Sequence, residues 1–129
     1  MPGETNLDKL LSSMSPVLRP QTYVFLTLRE ATDFPFSPLA LFQEQEGCSL
    51  IVEQEAAMKA GYFKESPMRL ITLEVHSSLE AVGLTAAIST RLAAAGISAN
   101  VVAAYHHDHV FVPAPRAEEA LALLQTFER

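Results

Sequence analysis

The sequence is short of most features that would tie it to a membrane, a nucleic acid or a reaction. It has one cysteine, Cys48, so an intramolecular disulfide is excluded and a reducing compartment is the natural reading. No stretch approaches the ~20 consecutive apolar residues that a bilayer span requires. The opening MPGETNLDKLL lacks the basic segment and apolar run of a secretory signal, so the expected location is the cytoplasm. Nine Lys and Arg residues lie scattered among fifteen Asp and Glu, for a formal net charge of −6. The basic stripe of a nucleic-acid binder is therefore missing. No Gly-rich phosphate loop, nucleophile elbow or HExxH occurs, so nothing points to an enzyme or to a cofactor.

What is present is apolar patterning. Of 129 residues, 49% are hydrophobic, enough for a buried core in one compact domain or two small ones. Leu7, Leu10, Leu11 and Met14 fall on one helical face, predicting a helix over 5–14 capped by Thr5. Pro16–Pro20 predicts a short edge strand, and TYVFLTL (22–28) a second strand, apolar on both faces and so expected to be covered on both. LALFQE and CSLIVE are strand-like runs around a turn ending at Gly47, followed by a short helix over 54–60. In the second half, Ile71, Leu73 and Val75 alternate with Thr72 and Glu74, predicting a strand with the latter two outward. Leu84, Ile88, Leu92 and Ala95 form a helical stripe over 83–95, stopped by Gly96. Strands over 97–105 and 109–113 and a helix over 116–127 complete the chain.

The halves repeat. LALFQEQEGCSLIVEQEAAMKA (39–60) and NVVAAYHHDHVFVPAPRAEEALA (100–122) both read strand, turn, strand, connector and Ala/Glu-rich helix. The first half has only the loop 29–38 where the second has a full helix. A βαββα unit wants a further strand, since an unpaired sheet edge is a liability. The segment PVLRP is expected to supply it. The predicted fold class is α+β: two ferredoxin-like units with antiparallel sheets, residues 1–66 forming a degenerate first unit and 67–129 the second, with an exchanged edge strand.

SPVLRPQTYVFLTL (15–28), FQEQEGCSLIV (42–52) and, most specifically, ITLEVHSSLEAVGLTAAISTRLAAAGISANVVAAYHHDHVFVP (71–113) resemble the small bacterial tandem ACT-domain proteins. These are related to the regulatory regions of aspartate kinases and to the cytosolic arginine sensors of animals. The resemblance implies a regulatory protein without catalytic activity that binds a small effector, in most such domains an amino acid, at a domain or subunit interface. It implies contacts from His76, Ser77, Ser78, Leu79, Val82, Gly83 and Leu84 in the turn before the helix, and from Asn100 and Val101. Glu44 or Glu46 is the implied acidic partner, and a homodimer the expected assembly. A helix N-terminus also suits an α-carboxylate physically, because its N–H groups are unsatisfied. The plainer reading is that Ser77 and Ser78 cap the turn and Gly83 eases packing. A module that pairs through its sheet with another protein, without a small ligand, is the alternative function.

Two clusters draw a different chemistry. His107 and His109, with His76, have the residue types of a zinc site, but no complete ligand set is evident, and a polar hairpin turn facing water is expected. Cys48 opens a strand and reads as a small buried hydrophobe.

Overall fold

The computed structural model describes residues 6–29, 35–75 and 82–128. Its elements are α1 (Leu7–Ser13), β1 (Ser15–Leu28), β2 (Ala40–Gln43), β3 (Cys48–Glu53), α2 (Gln54–Lys59), β4 (Met68–Glu74), α3 (Leu84–Ala94), β5 (Asn100–Ala103), β6 (Asp108–Pro113) and α4 (Ala117–Gln125), with 3₁₀ turns on either side of α4. They form two compact units. The larger joins Met1–Pro20 to Arg69–Arg129, and the smaller is Gln21–Met68. Strand β1 therefore serves both: its first residues are the edge strand beside β4 in the order β1-β4-β6-β5, and its last residues lie beside β3 in the order β2-β3-β1. This is the α+β, ferredoxin-like architecture read from the sequence, with the exchanged strand supplied by the PVLRP segment.

Three local readings need correction. PVLRP and TYVFLTL are one 14-residue strand, not two. Proline's fixed φ is compatible with extended backbone, and its missing N–H is tolerated on an edge strand, which has a partner on one side only. Pro16 and Pro20 both precede Tyr23–Leu28, which pairs with β3. The cap of α1 is Asn6, whose Oδ1 accepts from the Lys9 N–H at 3.1 Å. Asn6 is a stronger N-cap type than threonine, and it sits where its carbonyl oxygen meets the third N–H of the helix. The strand β1 is also covered less completely than its composition suggests: Val24 and Leu26 are buried, but Phe25 is 40% exposed.

The larger unit packs Leu10 of α1 and Met14 just after it, Ile71 and Leu73 of β4, Leu84, Ile88 and Leu92 of α3, Val110 and Val112 of β6, and Leu124 of α4 into one core. The expected α3 stripe is thus its buried face. In the smaller unit Val24, Leu26, Cys48, Leu50, Val52 and Ala57 form a second core, edged by Phe36 and Tyr62 in T-shaped contact at 5.8 Å. Cys48 is fully buried within it. Arg116 links α3 to α4, donating to the Ala95 carbonyl at 2.9 Å and to the Glu119 carboxylate at 2.8 Å. The guanidinium thereby satisfies a carbonyl left open at a helix C-terminus.

The repeat is visible in register. Ala40 pairs with Ile51 and Gln43 with Cys48; Asn100 pairs with Phe111 and Ala103 with Asp108. Each pair of the second hairpin recurs 60 residues after its counterpart in the first. Both hairpins close through four-residue turns. In the first, Glu44 and Gly47 exchange backbone hydrogen bonds of 2.9 and 3.3 Å; in the second, the Ala104 N–H donates to the His107 carbonyl at 3.1 Å.

The first turn is built for glycine. A Cβ on Gly47 would lie 2.7 Å from the Leu28 carbonyl oxygen, a backbone atom that cannot step aside. Gly47→Ala is expected to cost about 1–3 kcal/mol, the range for forced overpacking. A urea melt reads it as a lower midpoint with unchanged slope; an unchanged midpoint would show that the turn yields freely.

Candidate functional site

Of the residues implied to contact an effector, His76, Ser77, Ser78 and Leu79 lie outside the described residues. Val82, Gly83 and Leu84 enter α3 in the larger unit. Gly83 is the N-cap, in the left-handed region at φ 102°, and its carbonyl accepts from Ala87 at 2.9 Å. Among the described residues no side chain caps the first turn of α3. Val82 is 82% exposed, whereas Leu84 is buried in the core and can offer only its backbone. Asn100 is the exposed first residue of β5, and Val101 packs partly against the core.

Glu44 and Glu46 belong to the smaller unit, in the turn closed by Gly47. Both are exposed. The Ser49 hydroxyl donates to the Glu44 carboxylate, which fixes that side chain along its own hairpin.

A neighbour of Gly83 was not legible from the sequence. A Cβ built there would meet Leu7 Cδ2 of α1 at 3.1 Å. This places Leu7 at one end of a shallow, open groove of about 820 Å³ on the helical side of the larger unit. Its walls include Leu7, Gly83, Ala87, Thr90, Arg91 and Phe127. Arg91 lies 3.9 Å from the centroid of the Phe127 ring and donates to the Leu123 carbonyl at 3.2 Å and to the Thr126 hydroxyl. The guanidinium is thereby committed to the turn after α4, and apart from Thr90 the other side chains of the groove are apolar.

The sequence reading also missed a polar row across β1, β4 and β6. Arg19 Nε donates to Thr72 Oγ1 at 3.2 Å, and Thr72 Oγ1 lies 3.1 Å from His109 Nδ1. Arg19 also approaches Glu74 at 3.7 Å, and Arg69 donates twice to the Arg19 carbonyl, at 2.7 and 3.1 Å. Thr72, expected to face water, is 1% exposed, because its longer neighbours cover it. Burial holds the His109 imidazole below its ordinary pKa, reinforced by His107 and Arg19 and opposed by Asp108. The tip of the hairpin turn is solvated as expected, with Tyr105 75% exposed, but its far end is not: Asp108, which opens β6, is 7% exposed, and among the described residues His107 Nδ1 is buried with no hydrogen-bond partner. Among the described residues no three of His, Cys, Asp and Glu gather into a metal-sized cluster. None of the described helices is long and apolar enough to cross a membrane.

Residues 2–69 match the sequence profile of the ACT domain, and residues 65–126 match an ACT-domain profile again. No curated protein matches the chain significantly. Among solved structures, a Vibrio cholerae protein of unknown function, described as a possible transport protein, is 47% identical. The likeness covers 95% of this chain and 96% of that one, at a TM-score of 0.85. The regulatory subunit of aspartate kinase from Thermus flavus matches at a TM-score of 0.64 and 12% identity, over 88% of this chain and 97% of that one. Aspartokinase III of E. coli, solved with aspartate and ADP, matches at 0.62 and 15% identity, over 88% of this chain and 33% of that one. At such identities the two kinases show likeness of fold.

The geometry at Gly83 separates two costs. Gly83→Ala is expected to destabilise by about 1–2 kcal/mol, chiefly because alanine resists positive φ. In a Leu7→Ala background most of that loss should persist, since the leucine tip is flexible and gives way. A loss that vanishes there in denaturant melts would instead assign it to the steric contact.

Proposed function

The chain belongs to the ACT-domain family, and from that premise we propose that it is a regulatory protein that binds a small effector, an amino acid, and has no catalytic activity of its own. ACT domains are generally regulatory modules that bind small ligands. The observation that carries the reading is that the two ACT matches together run from residue 2 to residue 126.

We assign the effector's α-carboxylate to the backbone N–H groups at Val82, Gly83 and Leu84. Among the described residues no side chain takes up the first-turn N–H groups, which suits an anion, and the helix dipole favours negative charge there. His76, Ser77, Ser78 and Leu79 complete that turn in the proposal, with Asn100 and Val101 as further contacts. Glu44 and Glu46 take the role of carboxylate partners of the ammonium group. The working location is the cytoplasm.

A thermal-shift screen of the proteinogenic amino acids tests this. At a hundredfold excess over its dissociation constant, an effector stabilises the fold by about 2.7 kcal/mol, a shift of several degrees. Glu44→Gln and Glu46→Gln should reduce the shift without lowering the unliganded midpoint. No shift for any amino acid at millimolar concentration would sink the proposal.

The same reading pairs two copies of the chain, and one observation favours the β2 edge of the smaller unit for the contact. Leu39, Leu41 and Phe42 are 51%, 47% and 72% exposed there, and Ala40–Gln43 carries no charge or proline of the kind that protects an edge strand. An isologous antiparallel pairing would cover them. Sedimentation should find a dimer that Phe42→Lys converts to a folded monomer. A monomeric wild-type protein at micromolar concentration would remove the pairing. Were the dimer present and no effector found, a module working through its sheet alone would be the better account.

A further inference from the structure

The row formed by Arg19, Thr72 and His109 has only one consistent assignment of protons. A guanidinium only donates, so Thr72 Oγ1 must accept the bond from Arg19. The threonine hydroxyl has a single hydrogen, and among the described residues its one other side-chain partner is His109 Nδ1 at 3.1 Å. If Nδ1 carried a proton, the hydroxyl hydrogen would be left unpaired in a position that is 1% exposed. That loss is unfavourable, so the hydroxyl donates to Nδ1 and the imidazole is neutral, with its proton on Nε2.

The row also ties three strands. Arg19 stands on β1, Thr72 on β4 and His109 on β6. We propose that Arg19, Thr72 and His109 form a proton-sensitive latch that sets how firmly residues 15–20, the borrowed edge strand, are held on the larger unit.

When a proton from solvent adds to Nδ1, the imidazole turns from acceptor to donor. The Thr72 hydroxyl then faces two donors, and its own hydrogen has no acceptor. The imidazolium also faces the Arg19 guanidinium, a like charge. The groups set against His109 are Arg19 from β1, with Glu74 of β4 behind it at 3.7 Å, and His107 and Asp108 from the turn and start of β6. Arg19 and His107 oppose the added charge and Asp108 favours it, with burial opposing it most. The bonds from Arg69 to the Arg19 carbonyl involve no titrating histidine and persist, so the latch loosens the strand without detaching it.

The sign follows from linkage. His109 has a folded-state pKa below the ordinary value of 6.5. Its contribution to stability is therefore complete above the ordinary histidine value and is lost as pH falls from there toward the lowered folded value. The latch is closed in neutral solution and opens on acidification, whether or not the chain binds an effector.

Amide exchange, measured against pH, tests this in the full chain. Protection of Val17, Leu18 and Arg19, corrected for the intrinsic rate, should fall up to about tenfold as His109 titrates, the size expected for one lost hydrogen bond. His109→Asn keeps an acceptor for the Thr72 hydroxyl but cannot titrate, and its protection should stay flat over the same range. Thr72→Val should raise the His109 pKa, read by NMR of the ring, because the donor to the neutral form is gone. Nitrogen shifts should report a proton on Nε2 in the wild type. Flat protection in the wild type while His109 titrates, an equal fall in His109→Asn, or a His109 pKa unmoved by Thr72→Val would each overturn the latch.

Discussion

Everything in this molecule depends on β1 having two jobs. Its first residues are the edge strand of one unit and its last residues are a strand of the other. A sheet edge with unpaired N–H and C=O groups must be covered or carried at a cost. The larger unit meets that need with a segment that precedes the smaller unit in the chain. Arg69 reinforces the arrangement from β4, because its two donors on the Arg19 carbonyl fix the borrowed segment at a backbone atom. The two units are thus separate in their cores and covalently continuous in one strand.

The two hairpins show how little of a repeat has to be kept. The register of β2 with β3 and of β5 with β6 is the same, and so is the turn length. The side chains in those turns share almost nothing: Glu44, Gln45, Glu46 and Gly47 in one, Ala104, Tyr105, His106 and His107 in the other. In the smaller unit the turn rests against β1, leaving Gly47 no room for a side chain. In the larger unit the corresponding place holds a histidine with one buried nitrogen. Backbone pairing fixes such a hairpin, so its tip is free to acquire different chemistry.

Much of the fold was legible because it rests on period. Leu84, Ile88 and Leu92 announce their helix and its buried face, and Ile71, Leu73 and Val75 announce a strand. The capping of α1 by Asn6 rather than Thr5 was harder, since both are good caps and lie next to each other. The break expected at Pro20 came from reading proline as punctuation, whereas an extended strand accepts it. The polar row was beyond reach. It needs the register of β1 against β4 and of β4 against β6, in residues 53 and 37 positions apart. Thr72 was misjudged for the same reason: alternation placed it outward correctly, but nothing local says that an arginine and a histidine will cover it. Of the candidate effector contacts, the left-handed entry at Gly83 was legible as a glycine before a helical stripe. Leu7 against it was not, because α1 is separated from it by most of the chain.

That contact makes α1 a participant in whatever happens at Gly83. A molecule approaching the glycine from the groove competes with a leucine tethered to the same chain, present at a fixed and high local concentration. Its apparent affinity is the intrinsic affinity scaled by the fraction of molecules in which Leu7 has withdrawn. Leu10, and Met14 just after the helix, are buried in the core and anchor the rest of α1 against such withdrawal. On the proposed reading, the N-terminal turn of one short helix sets the threshold concentration for an effector at Gly83, and changes at position 7, in the wall of the groove, retune it.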